Sequence, residues 1–435
     1  MSVQEKAGIP ARRAAFHLLE DVLYRDRDLD DAAQNSQSFQ ALGDARDRAF
    51  ARATVLTVLR RLGQLDALIG EFLERPLKGN ANRAAHLLRI GLAHLLFMDV
   101  APHAAVDPLV SLARGESLTP QAGMINAVLR RATREGASLI AGQDAARLNT
   151  PQWLWDDWTA RFGVDTARAI AAAHLCEPPL DLTVRADASD WAARLGGTLI
   201  GRATVRLNGA GAVRELPGFD DGAWWVQDHA ASLPAHLLGP DLTGKRVVDL
   251  CAAPGGKTAQ LIAAGAQVTA VDRSKPRLKR LEENLSRLGM AAEVVQVDGA
   301  VWRPDTPADA VLLDAPCSAT GTLRRHPEIA CRRNETDVAK LANTQKRLLT
   351  AAAEMLKPGG VLVVATCSLQ TAEGPALFDA ARDLPTLSVD PIRPEEFPGL
   401  DGAVQPDGWA QTHPAMLADR GHLDGFFMAR FLRRD

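Results

Sequence analysis

The chain has 435 residues, too many for one hydrophobic core, so two or three domains are expected. Hydrophobic residues make up 46% and charged residues 24%, the ordinary balance of a soluble globular protein. No apolar run reaches the ~18–20 residues of a membrane span, and the formal net charge of −3 excludes a global positive field, so any nucleic-acid partner must be held by local patches.

The N-terminus, MSVQEKAGIPARRAAFHLLEDVL, lacks the basic start, apolar core and small-residue cleavage site of a secretory signal. Five cysteines, Cys176, Cys251, Cys317, Cys331 and Cys367, contain no C-x-x-C pair. Neither a disulfide framework nor a tetrahedral zinc site is expected, and reduced thiols in the cytoplasm are the default. No metal and no membrane partner are expected, and the chain is taken as a monomer.

Residues 1–140 read as an all-α domain. Val55, Val58, Leu59, Leu62, Leu65, Ile69, Phe72 and Leu73 recur at helical spacing, and Leu87, Leu88, Ile90, Leu95 and Leu96 mark a second apolar helix. Turn residues connect them, as in Pro76-Leu77-Lys78-Gly79-Asn80. Residues 141–234 form a small mixed region with strand-like runs at Leu182-Thr183-Val184 and 203–207. Its tryptophans, Trp153, Trp155 and Trp158, are better read as pinning a helix to a core than as stacking on bases.

From 235 to 435 the pattern becomes α/β. Apolar runs at 246–252, 267–272, 293–298, 309–315 and 360–368 alternate with helical stretches near 257–264, 275–288 and 337–356. Short Val-, Leu- and Ala-rich runs suit strands buried on both faces of a parallel sheet, which binds ligands at the carboxyl ends of its strands.

The chemistry-bearing residues sit at those ends. In 249-DLCAAPGGKT-258 a strand runs through small residues into a helix, so a ligand can approach the backbone and the free N–H groups of the helix start. A P-loop would need glycine where Cys251 stands, and a dinucleotide fingerprint would need a G-x-G that is absent. A nucleoside-sulfonium site remains. Asp272, about 20 residues on, is placed to accept ribose hydroxyls, and Asp298 to accept an adenine amino group. The run ending in Asp314 resembles a Walker B strand, which keeps an ATPase in view. It continues, however, into Ala315-Pro316-Cys317-Ser318, and the last strand of the pattern ends in Thr366-Cys367-Ser368. Two thiols at neighbouring strand ends beside a nucleoside cleft point to covalent catalysis. Carbon 5 of cytosine becomes nucleophilic enough to take a methyl group once a thiolate has added to carbon 6, and Asp314 can hydrogen-bond or protonate the ring nitrogen.

Over 246–368 these motifs, DLCAAPGGKT, VDRSKPRLKRLEENLSRLG, VDG, DAPCSATGTLRRHPEI and ATCS, resemble the Sun/Fmu (RsmB) family of bacterial 16S rRNA cytosine-C5 methyltransferases; the closing GHLDGFFMARF fits as well. LLRIGLAHLLFMDVAPHAAV and MINAVLRR in the N-terminal region resemble NusB. The resemblance implies a multidomain chain: an all-α NusB-like RNA-binding domain, then a linking region, then a Rossmann-like α/β methyltransferase domain. It implies S-adenosyl-L-methionine as cofactor, held by Cys251, Ala252, Ala253, Pro254, Gly255, Gly256, Lys257, Asp272, Asp298 and Asp314. It implies Cys367 as nucleophile, Cys317 as the thiol that assists release, and small-subunit ribosomal RNA as substrate. The same chemistry on transfer RNA or another rRNA cytosine, and a non-catalytic RNA-binding assembly factor, stay open. Arg324, Arg325, Arg332 and Arg333 are expected to grip RNA phosphates.

Overall fold

The computed structural model describes residues 8–209 and 211–435. The first seven residues of the expected helical region and Ala210 lie outside the described residues. The chain divides into two compact units. One comprises the described residues up to Asp156 with Ala167–Leu175 and His326–Arg332; the other comprises Asp157–Thr166, Cys176–Arg325 and Arg333–Asp435.

The first unit is helical throughout. Its main helices are Ile9–Tyr24, Ala45–Arg60, Leu62–Phe72, Asn82–Phe97, Pro102–Gly115 and Ala122–Ala141. The residues at three- and four-residue spacing form its core: Val55, Val58, Leu65, Ile69, Leu87, Leu88 and Ile90 are buried with Phe16, Leu109 and Leu129. Close packing makes Gly91 necessary, because a Cβ there would lie 2.5 Å from Leu129 Cδ2 and 3.1 Å from Leu109 Cδ1. Trp155 lies beneath the guanidinium groups of Arg147 and Arg168, 5.3 and 5.6 Å from the ring.

The second unit holds two sheets. Strands β1 (Leu180–Val184), β2 (Thr198–Ile200), β3 (Thr204–Leu207) and β4 (Trp224–Val226) form an antiparallel sheet in the order β2-β3-β1-β4. The larger sheet contains β5 (Arg246–Leu250), β6 (Gln267–Asp272), β7 (Glu293–Gln296), β8 (Ala308–Asp314), β9 (Leu356–Thr366), β10 (Leu387–Val389), β11 (Ala410–Gln411) and β12 (Phe427–Arg433). Its order is β10-β12-β9-β8-β5-β6-β7, with β11 paired to β12. The stretch β9-β8-β5-β6-β7 is parallel, and β12 returns antiparallel beside β9.

Alternation of side chains along the central strands explains why these strands read as continuous apolar runs. Val248, Leu250, Val311, Leu313, Leu362 and Val364 enter one core, and Val247, Ala310, Leu312, Val363 and Ala365 enter the core on the opposite face. Trp158 is fully buried and donates its indole N–H to Gln370 Oε1 at 3.2 Å, which makes it a core anchor as expected. Among the described residues no helix is long and apolar enough to cross a membrane.

One polar group stands inside this core. Asp249 on β5 is fully buried; its Oδ2 accepts the Thr258 hydroxyl at 2.6 Å, while Oδ1 has no hydrogen-bond partner. Burial, reinforced by nearby Asp314 and Asp272, pushes its carboxyl from the ordinary 3.8 up to about 7. A carboxyl raised in the folded state holds its proton after the unfolded chain has lost it. Stability is therefore complete below about pH 4 and is lost as pH rises towards 7. Asp249→Asn removes the charge and keeps an acceptor for Thr258. It should gain about 2–4 kcal/mol over the parent at pH 8 and nearly nothing at pH 4, measured by denaturant unfolding at both values. Equal pH dependence in the two proteins would show that Asp249 is not the titrating group.

Candidate active site

The carboxyl ends of β5, β6, β7, β8 and β9 lie along one edge of the parallel sheet. After β5 the chain turns through Cys251, at φ 63°, then Ala252, Ala253 and Pro254 to Gly255, at φ 101°, where the helix Gly256–Ala263 begins. Gly255 is required by its left-handed backbone and because a Cβ would sit 3.0 Å from Leu281 Cγ. The first N–H groups of that helix lie outside its own hydrogen-bond ladder. Burial pushes the Cys251 thiol up to about 12, so it stays neutral.

Asp272, the last residue of β6, accepts the backbone N–H groups of Ser274 at 2.9 Å and Ala253 at 3.4 Å, and lies 3.4 Å from Arg277 Nη1. The Ala253 bond ties the acid of one strand to the loop of the next. Asp298 lies beyond β7, which ends two residues earlier than the run 293–298 suggests. Its side chain is exposed, accepts Ala300 N–H at 3.0 Å and stands 3.9 Å from Arg347. Small residues, open helix N–H groups and two carboxylates at adjacent strand ends suit a nucleoside sulfonium. Each carboxylate has lone pairs beyond those already engaged, so the residues present fit the group.

Beside this loop opens a cleft of ≈ 580 Å³ lined by Gly255, Gly256, Lys257, Asp314, Cys367, Arg325 and Phe426, and across it by Trp225, Gln227 and Asp228. Lys257 Nζ donates to Asp314 Oδ2 at 2.8 Å and lies 4.8 Å from the centre of the Phe426 ring, so the carboxylate at the end of β8 is held by a cation. Cys317 and Cys367 bring their sulfurs within 3.3 Å. They are not equivalent, because Cys367 lines the cleft and Cys317 does not. The hydrogen bond with Cys367, followed by burial, raises the Cys317 thiol well above its ordinary range, and Cys317 keeps its proton.

Trp225, Gln227 and Phe426 were not singled out from sequence. Trp225 donates to Gln227 Oε1 at 2.9 Å, and Gln227 donates to Gln260 Oε1 at 2.8 Å, a chain that joins β4 to the helix after the glycine loop. No local motif marks Trp225 and Gln227, which the pairing of β4 beside β1 brings to the cleft; Phe426 lies in the closing GHLDGFFMARF stretch, just before β12.

Arg324 and Arg332 depart from expectation. Arg324 is buried and donates to Asp228 Oδ2 at 3.1 Å, Asp424 Oδ1 at 3.2 Å and Gly421 O at 3.0 Å, so it braces the protein and does not face phosphate. Arg325 is bound by Asp424 and reaches the cleft. Arg332, in the helical unit, pairs with Asp26 at 2.9 Å and Asp28 at 3.6 Å. Arg333 is half-buried. The acidic partners lie far away in sequence, which is why a cluster of arginines read as a free basic patch.

Residues 235–432 match the family described as 16S rRNA methyltransferase RsmB/F, and residues 9–134 match the NusB family. The chain is 35% identical over 426 residues to the ribosomal RNA small subunit methyltransferase B of Cronobacter sakazakii, covering 93% of this chain and 98% of that protein. It is 37% identical over 411 residues to the protein of the same name from Pseudomonas putida, covering 90% and 91%. The solved structure of PH0851 shares the fold, with a TM-score of 0.76 over 97% of this chain and 98% of that one, at 22% identity. Relatives this similar, aligned over nearly their whole length, place the chain in the RsmB/F family of S-adenosylmethionine-dependent rRNA methyltransferases, with an N-terminal segment of the NusB family.

Proposed function

We propose that the protein forms 5-methylcytosine in small-subunit (16S) ribosomal RNA through a covalent bond between Cys367 and the target base. The observation that carries this reading is the pair of sulfurs 3.3 Å apart, one facing the cleft that also holds Asp314 and one behind it. In this reading residues 1–140 position the RNA, 141–234 are a linking domain that lends Trp225, Gln227 and Asp228 to the cleft, and 235–435 carry the chemistry. The covalent reading needs both thiols reduced, so a reducing, cytoplasmic setting goes with it.

S-adenosylmethionine supplies an electrophilic methyl group, and Cys251–Lys257, Asp272, Asp298 and Asp314 are the residues that would hold it. Cys367, as thiolate, adds to carbon 6 of the cytosine. The electron pair of the carbon 5–carbon 6 double bond moves towards carbon 5 and into the ring, where Asp314, acting from its protonated acid form, hydrogen-bonds or protonates the ring nitrogen. Lys257 keeps Asp314 aimed. Carbon 5 then takes the methyl group. Water takes the carbon 5 proton, the electron pair of that bond restores the double bond and expels the sulfur from carbon 6, and Cys367 leaves as thiolate. Cys317, held as a thiol next to Cys367, stabilises that leaving sulfur with its proton.

Two experiments test this reading. Asp272→Ala should weaken S-adenosylmethionine binding by about tenfold to a hundredfold, the loss of a charge-assisted hydrogen bond of ~1.5–3 kcal/mol. Unchanged affinity by calorimetry in a folded variant would remove Asp272 from the site. Cys317→Ala should accumulate a protein–RNA complex that survives denaturing electrophoresis and requires S-adenosylmethionine. Cys367→Ala should be inactive and form none, and the double variant should behave like Cys367→Ala. The reverse pattern would exchange the roles of the two thiols, and activity without any complex in either single variant would end the covalent reading.

A further inference from the structure

Beneath the two cysteines lies a buried carboxylate that the mechanism above does not use. Glu373 has 0% exposure. Its Oε1 accepts Ser318 N–H at 2.9 Å and Gln345 Nε2 at 3.1 Å; its Oε2 accepts Ser368 Oγ at 2.6 Å and, in a short contact, Ser318 Oγ. Ser318 follows Cys317 and Ser368 follows Cys367. The two hydroxyls also lie 3.1 Å from each other, and Thr320 Oγ1 accepts Leu369 N–H at 3.0 Å. Glu373 is fixed in turn at both ends: its carbonyl accepts Thr366 Oγ1 at 2.8 Å, and Gln345, which donates to the carboxylate, also donates to Pro316 O at 2.9 Å.

We propose that Glu373 is a positioning residue that sets the spacing of Cys317 and Cys367 by clasping the serine that follows each of them. The backbone bond from Gly321 N–H to Cys367 O at 3.0 Å also joins the two turns, but Glu373 alone binds the residue after each cysteine through one charged group. The strands end at Asp314 and Thr366, and the last ladder bond between β8 and β9 is from Ala315 N–H to Ala365 O at 2.9 Å. Beyond those residues the thiols depend on the turns. Several donors converge on one carboxylate, and charge-assisted bonds of this kind are about twice as strong as neutral ones. A buried acid is tolerated only when so answered. Burial still lifts the Glu373 carboxyl above its ordinary value, while the donors from Ser318, Ser368 and Gln345 oppose that lift. The charge also bears on the pair itself, for Glu373 is among the groups that hold Cys317 in its protonated form.

The proposal deepens the covalent reading and rests on it for the part that concerns turnover, so its test begins with a measurement that needs no RNA. Diamide converts two neighbouring thiols to a disulfide. Each sulfur loses a proton and an electron, a sulfur–sulfur bond forms, and the reagent's azo group is reduced to a hydrazine. In the full-length chain the Cys317–Cys367 disulfide, read by peptide mapping, should form readily. Glu373→Ala should slow it by about tenfold or more, and Glu373→Gln, which keeps an acceptor at the same place, should recover most of the rate. In methylation assays Glu373→Ala should lower kcat by about a hundredfold, the cost of a misplaced reacting group, with KM for S-adenosylmethionine little changed. Ser318→Ala and Ser368→Ala, each removing one side of the clasp, should shift both readouts in the same direction by smaller amounts, and they carry the test if Glu373→Ala does not fold. Unchanged disulfide rate and kcat in the folded variants would overturn the proposal. The covalent reading would survive that result, because it is judged separately by the complex trapped in Cys317→Ala.

Discussion

A carboxylate that water cannot reach must be met by donors on every side, and in this protein that requirement organises the catalytic edge. Glu373 has its partners in Ser318, Ser368 and Gln345, which belong to the turn after β8, the turn after β9 and the long helix Glu335–Met355. Satisfying one buried charge therefore brings three separate parts of the chain together, and the two sulfurs are carried with them to 3.3 Å. The parallel sheet supplies the coarse placement by ending adjacent strands at one edge. The buried acid then binds the two turns to each other beyond the strand ends.

A second buried network closes the cleft from the other side. Asp424, fully buried, is held by Arg324 and Arg325, and Arg324 also holds Asp228 at the start of the helix His229–His236. Arg206 on β3 donates through two nitrogens to Asp181 on β1, each at 2.7 Å, and reaches the carbonyl of Arg420 at 2.8 Å. The segment leading into β12 is thus clamped to the small sheet. Removing one partner from such a network leaves a charge buried alone, at a cost of about 3–5 kcal/mol. Phe426, carried on that segment, then stands under Lys257, and Lys257 holds Asp314. Structural ion pairs and the proposed catalytic carboxylate are parts of one connected arrangement.

Much of this was readable before any coordinates. The five central strands declared themselves because burial on both faces favours apolar residues at successive positions, giving continuous apolar runs. The three helices between them fell within a residue or two of their predicted places, at Gly256–Ala263, Lys275–Arg287 and Glu335–Met355. Residues at strand ends were legible because glycine turns, acids and cysteines interrupt apolar runs there. The strand β12 was not, since Phe427–Arg433 carries a mixed pattern that becomes a strand only by pairing with β9. Arg324 was misjudged for a related reason: its partners are about a hundred residues away, and sequence reading sees a cation without its counter-charge. Glu373 escaped notice because a single acid in a short turn has no signature until its donors converge on it.

The account's central claim is that Cys367 forms the bond to the base while Cys317, 3.3 Å behind it, remains a thiol. The most direct test replaces the target cytidine in a small-subunit rRNA fragment with 5-fluorocytidine, incubates it with the parent protein and S-adenosylmethionine, and maps the protein–RNA linkage by mass spectrometry. Fluorine at carbon 5 cannot leave as a proton, so the adduct persists after methyl transfer. The account predicts a methylated nucleotide attached to the peptide that contains Cys367, with Cys317 unmodified. Attachment at Cys317, or turnover-competent protein with no attachment at either thiol, would contradict it.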